Sequence, residues 1–243
     1  MTASRVRIVS VLPALLGTYG DGGNVVVLER RLAWRGIAVE VVRTGVDDPV
    51  PDGGDLYVLG GGEDEAQLLA LDVLRTSALR AVVDRGTPVL AVCAGLQLLG
   101  RTLMAGDLDV EGLGLVDLTT TRLHRRAVGE IVTRPDSSTG LARLTGFVNH
   151  GGSTVLGPDA RPFAEVLEGP GNAGGSDPVD GVLQGSVVGT YLHGPVLARN
   201  PALADLLLTR AVGSPLPVLP PGPPEQLHEE RLAGRRRLSR EEA

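Results

Sequence analysis

Short apolar runs separated by polar, glycine-bearing turns recur through the first hundred residues with the spacing of alternating strands and helices. Residues 5–11 (RVRIVSV) predict a first strand, and Val25, Leu28 and Leu32, at i, i+3 and i+7, predict a helix over residues 25–34 that Gly36 ends. Residues 37–42 predict a second strand and residues 56–59 a third, with a polar, proline-containing turn over 47–54 between them. Leu68, Leu71, Leu79 and Val82 place a helix over residues 68–83. After Pro88, Val89, Leu90, Ala91 and Val92 read as a buried strand, and Leu96, Leu98 and Leu99 begin a further helix. Strand and helix alternating at this spacing imply an α/β fold with a mostly parallel sheet and crossover helices.

Beyond Gly100 the periodicity weakens. Residues 112–120, 127–133, 147–149 and 187–192 look like strands joined by glycine-rich turns, in no order that the pattern reveals, while 169–178 read as a loop. Asn200 and Pro201 form a cap and first-turn pair for a helix over 200–211. Residues 213–224 hold six prolines and read as an extended linker, and the charged, arginine-rich residues 225–243 read as a solvated tail in preference to a short helix. The expected division is a domain over 1–212 followed by a proline-rich linker and tail over 213–243.

Composition narrows the chemistry. The net charge of −6 over 243 residues argues against a nucleic-acid partner, which calls for a basic surface. Every basic residue is arginine, so a lysine-bearing phosphate loop, a Schiff base and a Ser–Lys dyad are all excluded. The single cysteine excludes an internal disulfide. With no apolar run of about 18 residues and no cationic start before an apolar core, the expectation is a cytoplasmic protein without membrane span or signal peptide.

That one cysteine, Cys93, falls between the predicted strand at 89–92 and the helix after it. Ala91 two residues before and Gly95 two residues after give the small-x-Cys-x-small spacing of a sharp strand-to-helix turn that exposes a nucleophile. A helix N-terminus there would favour the thiolate, whereas a buried structural cysteine is the plain alternative. One βα unit earlier, Gly60, Gly61 and Gly62 end the third strand, where backbone N–H groups can meet an anion or the chain can simply turn. A thiol nucleophile requires a base and an acid, and histidine serves as both. His228 follows the proline linker and His124 lies in the run RLHRR, which reads as an exposed loop; His150 and His193 each end a strand-like segment beside glycine and remain tied.

Four blocks in order, LGGG at 59–62, AVCAGLQ at 91–97, FVNHGGST at 147–154 and GTYLHG at 189–194, resemble those of class I glutamine amidotransferases in the branch shared with cobyric acid synthase. Within it, YGDxGN at 19–24, GGGEDEAQ and NHxGxT resemble the stand-alone glutaminase subunits, GatD, of two-subunit lipid II isoglutaminyl synthases. The resemblance implies a flavodoxin-like fold and breaks the histidine tie, with Cys93 as nucleophile and His193 as its base, and His150 as a supporting residue. Many relatives carry a glutamate two residues after the histidine; Pro195 stands there, so a Cys–His dyad with no identified orienting group is expected. The resemblance further implies a substrate arginine before the strand Val128-Gly129-Glu130-Ile131, with Arg126 the best match and Arg125 the alternative. It puts Ala94 and Gly61 at the oxyanion and Gln97 among the substrate-binding residues. It implies no cofactor or metal in this chain, with ATP and Mg on a MurT-like Mur ligase partner that forms a heterodimer, takes ammonia from L-glutamine and amidates the D-glutamate of a lipid-linked precursor in cell-wall synthesis.

Overall fold

The computed structural model describes residues 5–106, 108–174 and 177–241, with side chains described to residue 234. Strand β1 (Val6–Ser10) leads through a long turn to helix α1 (Gly22–Ala33), which buries Asn24, Val25, Leu28, Arg31 and Leu32 on one face. Gly36, at φ +68°, lets the Ile37 N–H reach back to the Leu32 carbonyl and close the helix. Strand β2 (Val39–Arg43) and strand β3 (Leu56–Leu59) follow. The helix expected over 68–83 is two, α2 (Asp64–Arg75) and α3 (Leu79–Asp84). Ser77 makes the break, because its hydroxyl donates to the Leu74 carbonyl at 2.8 Å and accepts the Leu79 N–H at 3.3 Å, closing one helix and opening the other. Strand β4 (Val89–Val92) then runs into the six-residue helix α4 (Ala94–Leu99).

A second region is built from strands β5 (Thr102–Ala105), β6 (Leu108–Glu111), β7 (Leu118–Pro135), β8 (Leu144–Leu156), β9 (Ala164–Glu168) and β10 (Val179–Asp180). Residues 112–117, read from sequence as the start of a strand, lie outside β7. The chain returns to the first sheet with β11 (Val182–Gln184) and β12 (Val187–Thr190) and ends in helices α5 (Val196–Arg199), α6 (Pro201–Val212) and α7 (Pro223–Glu241).

The first sheet has the order β11-β12-β4-β3-β1-β2, parallel throughout except for β11. From β1 the chain steps to β2 on one side, and from β3 to β4 on the other; right-handed crossovers therefore put α1 and α2 on opposite faces. The fully buried Ile8, Leu28, Leu32, Leu56, Leu59, Leu90 and Leu96 make this the core. The second sheet, β10-β9-β7-β5-β6 with β8 also on β7, is mainly antiparallel, and only β5 and β7 run together in parallel. The two regions meet where Phe147 and His193 exchange backbone hydrogen bonds of 3.3 and 2.8 Å.

The C-terminal segment differs from the solvated tail read from sequence. Helix α7 is held by Glu225, whose carboxylate takes Arg31 at 3.0 Å and the Gly222 N–H at 3.0 Å, and by His228, whose Nδ1 faces the Arg199 carbonyl at 2.8 Å. Arg31, only 5% exposed, also forks onto Asp205 with both contacts at 2.7 Å.

Candidate active site

Ligands of open parallel sheets gather at the carboxyl ends of the strands, and here the ends of β3, β4 and β12 converge with the turn between β1 and α1. Cys93 follows β4 at φ +52° and ψ −107°, a conformation costly for a non-glycine residue. It is 7% exposed, and its N–H is tied to the Thr190 carbonyl at 2.9 Å. The turn tolerates no side chain at Gly95, where a Cβ would come within 2.7 Å of Leu59 Cβ and 3.0 Å of the Gly60 carbonyl. Helix α4, of six residues, is too short for much of a macrodipole at its N-terminus.

His193 follows β12 and is wholly buried. Its Nδ1 donates to Asp21 Oδ2 at 2.9 Å. Its Nε2 is buried with no partner of hydrogen-bond geometry among the described residues, and the Cys93 side chain lies close by, since a Cβ on Gly61 would meet both side chains. Burial, the largest influence, pulls the imidazole pKa down, but the hydrogen bonds and charges of Asp21 and Cys93 together raise it to about 10. At neutral pH the ring is therefore an imidazolium, held through Nδ1 on Asp21. Asp21 is thus the orienting group that the sequence left unidentified.

The same Oδ2 accepts the Gly61 N–H at 2.8 Å. Gly61 therefore serves the carboxylate and does not present its N–H to an oxyanion, as the sequence reading expected; the neighbouring Gly62 lines the cavity instead. Gly61 has a steric duty as well, because a Cβ would lie 2.8 Å from His193 Cε1 and 3.1 Å from Asp21 Oδ2. Asp180, fully buried, secures the residues ahead of the histidine: it accepts the Thr190 hydroxyl at 2.5 Å and the Tyr191 N–H at 3.2 Å. Burial lifts its pKa to about 6 against those hydrogen bonds and the charge of His193.

His150 takes no part as a base. Its ring nitrogens face the carbonyls of Gly152 at 2.8 Å and Gly171 at 2.9 Å, and it stacks on Tyr191 with ring centroids 3.8 Å apart. A neutral imidazole donates to one of the two, and burial pushes the pKa down to about 4, outweighing both carbonyls. Gln97 lines the cavity, but its amide is engaged by the wall: Oε1 accepts from Gln67 at 2.8 Å and Nε2 donates to the Tyr191 hydroxyl at 3.0 Å.

A cavity of about 270 Å³ opens over Cys93. Its outer wall comes from a break in the β7–β8 ladder, where Arg122 opposes Gly152 but the next paired residue, Ala127, opposes His150. Residues 123–126 bulge out and re-aim their side chains, bringing His124 and Arg126 to the cavity; Arg125 does not line it. Arg126 donates from Nε to Asn149 Oδ1 and from Nη2 to the Tyr19 hydroxyl at 3.3 Å. Among the described residues no group of three or more His, Cys, Asp or Glu could hold a metal ion.

Residues 7–201 match the family model of the CobB/CobQ-like glutamine amidotransferase domain. The chain belongs to this family and is a glutamine amidotransferase. Among curated relatives, this amidotransferase is 35% identical over 200 residues to the lipid II isoglutaminyl synthase (glutamine-hydrolyzing) subunit GatD of Staphylococcus aureus (strain N315), spanning 81% of this chain and 80% of that one. It is 33% identical over 204 residues to the subunit of that name in Streptococcus pneumoniae (strain ATCC BAA-255 / R6), spanning 82% and 77%. A cobyric acid synthase of Cereibacter sphaeroides is 39% identical over 170 residues, but these are 32% of its length. Among solved structures, a glutamine amidotransferase shares the fold with a TM-score of 0.57 at 21% identity over 84% of this chain and 98% of its own. The glutaminase domain of Trypanosoma brucei CTPS with bound acivicin does so with a TM-score of 0.54 at 15% identity, covering 88% and 96%. The amidotransferase has no helix, among the described residues, long and apolar enough to cross a membrane.

Of the site residues named from sequence, Cys93 and His193 come together, Arg126, Gln97 and Gly62's neighbour Gly61 surround them, and Ala94 begins α4 beside the thiol. Sequence reasoning missed Asp21, Asp180, Tyr19 and Asn149. Three of these stood in the blocks that carry the resemblance, Tyr19 and Asp21 in YGDxGN and Asn149 in FVNHGGST, but none had been given a role.

Proposed function

We propose that this chain hydrolyses L-glutamine to glutamate and ammonia as the glutaminase subunit of a lipid II isoglutaminyl synthase. The observation that supports the chemistry is the set Asp21–His193–Cys93, the first two buried behind a cavity that Cys93 lines together with Arg126. Cys93 thiolate attacks the carboxamide carbon. The oxyanion is received by the N–H of Ala94, one of the N–H groups that a helix start leaves without an intrahelical acceptor, and by that of Gly62. The His193 imidazolium gives its Nε2 proton to the departing ammonia, which leaves a glutamyl thioester on Cys93. His193, now neutral, draws a proton from water as it attacks the thioester; the C–S bond breaks to release glutamate and return the Cys93 thiolate, and Asp21 stabilises the imidazolium that reforms. Arg126 pairs with the substrate α-carboxylate.

The ammonia passes to a MurT-like, ATP-dependent Mur ligase partner, where ATP and Mg activate the D-glutamate carboxylate of lipid II for conversion to D-isoglutamine. Support for this partner comes from relatives of matching extent: the GatD subunits are spanned over 80% and 77% of their lengths, the cobyric acid synthase over 32%. The test supplies amide-labelled ¹⁵N-glutamine, the ligase, ATP, Mg and lipid II. Label in the lipid II product only when this chain is present supports the assignment; glutamate release without labelled product from this ligase assigns the chain to another synthetase.

A further inference from the structure

Tyr19 stands in a turn that its residue type disfavours. The Asp21 N–H closes the turn onto the Thr18 carbonyl at 3.4 Å, and both central residues have positive φ, +58° at Tyr19 and +81° at Gly20. Turns of this form prefer asparagine, aspartate or glycine at the first central position, because a Cβ is strained there. The Thr18 N–H pins the turn to the Gly61 carbonyl at 3.1 Å, so the geometry is imposed by the glycine loop on which the catalytic carboxylate rests.

The strained backbone sends the tyrosine ring over the site. Its centroid lies 5.0 Å from that of His193 at an interplanar angle of 70°, edge to face, while the residue keeps 40% of its exposure. The hydroxyl accepts from Asn149 Nδ2 at 2.8 Å and from Arg126 Nη2 at 3.3 Å. Arg126 is further held through Nε on Asn149 Oδ1 and Nη2 on the Asn149 carbonyl at 3.4 Å. These contacts engage Nε and Nη2 of the guanidinium and leave the Nη1 amino group to meet an anion. An arginine on a bulge otherwise has many rotamers, so the brace removes freedom that binding would have to remove.

We propose that Tyr19 is a positioning residue: its hydroxyl, with Asn149, fixes Arg126 to receive an amino-acid α-carboxylate, and its ring covers His193 from water. This rests on the assignment of Arg126 to the glutamine carboxylate. The effect belongs to binding, so Tyr19→Phe, which keeps the ring and loses the hydroxyl, raises KM for glutamine about tenfold and leaves kcat within about twofold. Tyr19→Asn, which suits the turn better, keeps or raises Tm, raises KM, and speeds alkylation of Cys93 by iodoacetamide, a reagent with no α-carboxylate; Tyr19→Phe leaves the alkylation rate unchanged.

The experiment measures glutamine kinetics and iodoacetamide alkylation for wild type and both variants, with the ligase partner present. A raised KM in Tyr19→Phe at unchanged alkylation supports the proposal. Unchanged KM in an active, folded Tyr19→Phe overturns it and leaves the glutaminase reading standing. A wild type that alkylates but hydrolyses no glutamine removes the glutaminase reading, and this proposal with it.

Discussion

Asp21 Oδ2 accepts two hydrogen bonds at once, from His193 Nδ1 and from the Gly61 N–H, and so ties the imidazole to the glycine loop. Asp21→Asn keeps an acceptor at that point and removes the charge. It is expected to lower kcat by roughly 10² or more and to bring the His193 pKa down from about 10. That pKa lies above the ordinary value of about 6.5, so the stability His193 contributes is fully present below about pH 6.5 and is lost as pH rises through about 10. The His193 ring resonances in NMR should accordingly stay flat between about pH 6 and 8; titration near 6.5 in wild type contradicts the charged pair. Gly61→Ala places a methyl 2.8 Å from His193 Cε1. The expected outcome is a folded chain whose kcat falls by an order of magnitude or more, read by glutamate release beside a thermal melt. At this scale Cys93 was legible because a tight turn demands small flanks within its own segment. Asp21 was not, because it meets His193 across 172 positions of chain and no local pattern encodes such a meeting.

The element whose sequence misled most is α7. Six prolines precede or open it and its composition is polar, so neither periodicity nor hydropathy announces a docked helix. It is held instead by ion pairs whose partners lie 194 positions apart, Arg31 and Glu225. Arg31→Ala removes a 5% exposed guanidinium from Asp205, whose side chain is 30% exposed, and should cost roughly 2 kcal/mol, below the full range for a buried pair. Glu225→Ala, 32% exposed, should cost under about 1 kcal/mol. Urea denaturation of both variants checks the order. The bulge over residues 123–126 was legible only as an arginine cluster resembling a loop, because its function is to leave the ladder. Deleting residues 124–126, which leaves Leu123 to oppose Gly151, should restore regular β7–β8 pairing and preserve the fold by circular dichroism while raising KM for glutamine at least tenfold through the loss of Arg126. An unchanged KM would take the substrate arginine elsewhere.

Across the whole molecule, the parallel sheet was the legible half. Its strands are short apolar runs buried on both faces, as β3 and β4 show at every position, and such runs stand out in sequence. The antiparallel half was not, because β7 carries a long exposed stretch from Thr121 to Glu130 with few buried positions to set a period. That second sheet nevertheless supplies Asp180 behind the catalytic strand and His150, Asn149 and Gly152 around the cavity. The two sheets therefore make one candidate site, with Cys93 and His193 on the first and the outer cavity wall on the second. The most direct test is glutamate release from L-glutamine by the purified chain, alone and with the ligase, ATP, Mg and lipid II, beside Cys93→Ser. Release that is lost in Cys93→Ser is the predicted result. Release that persists in Cys93→Ser, or its absence from wild type with every partner supplied, contradicts the account.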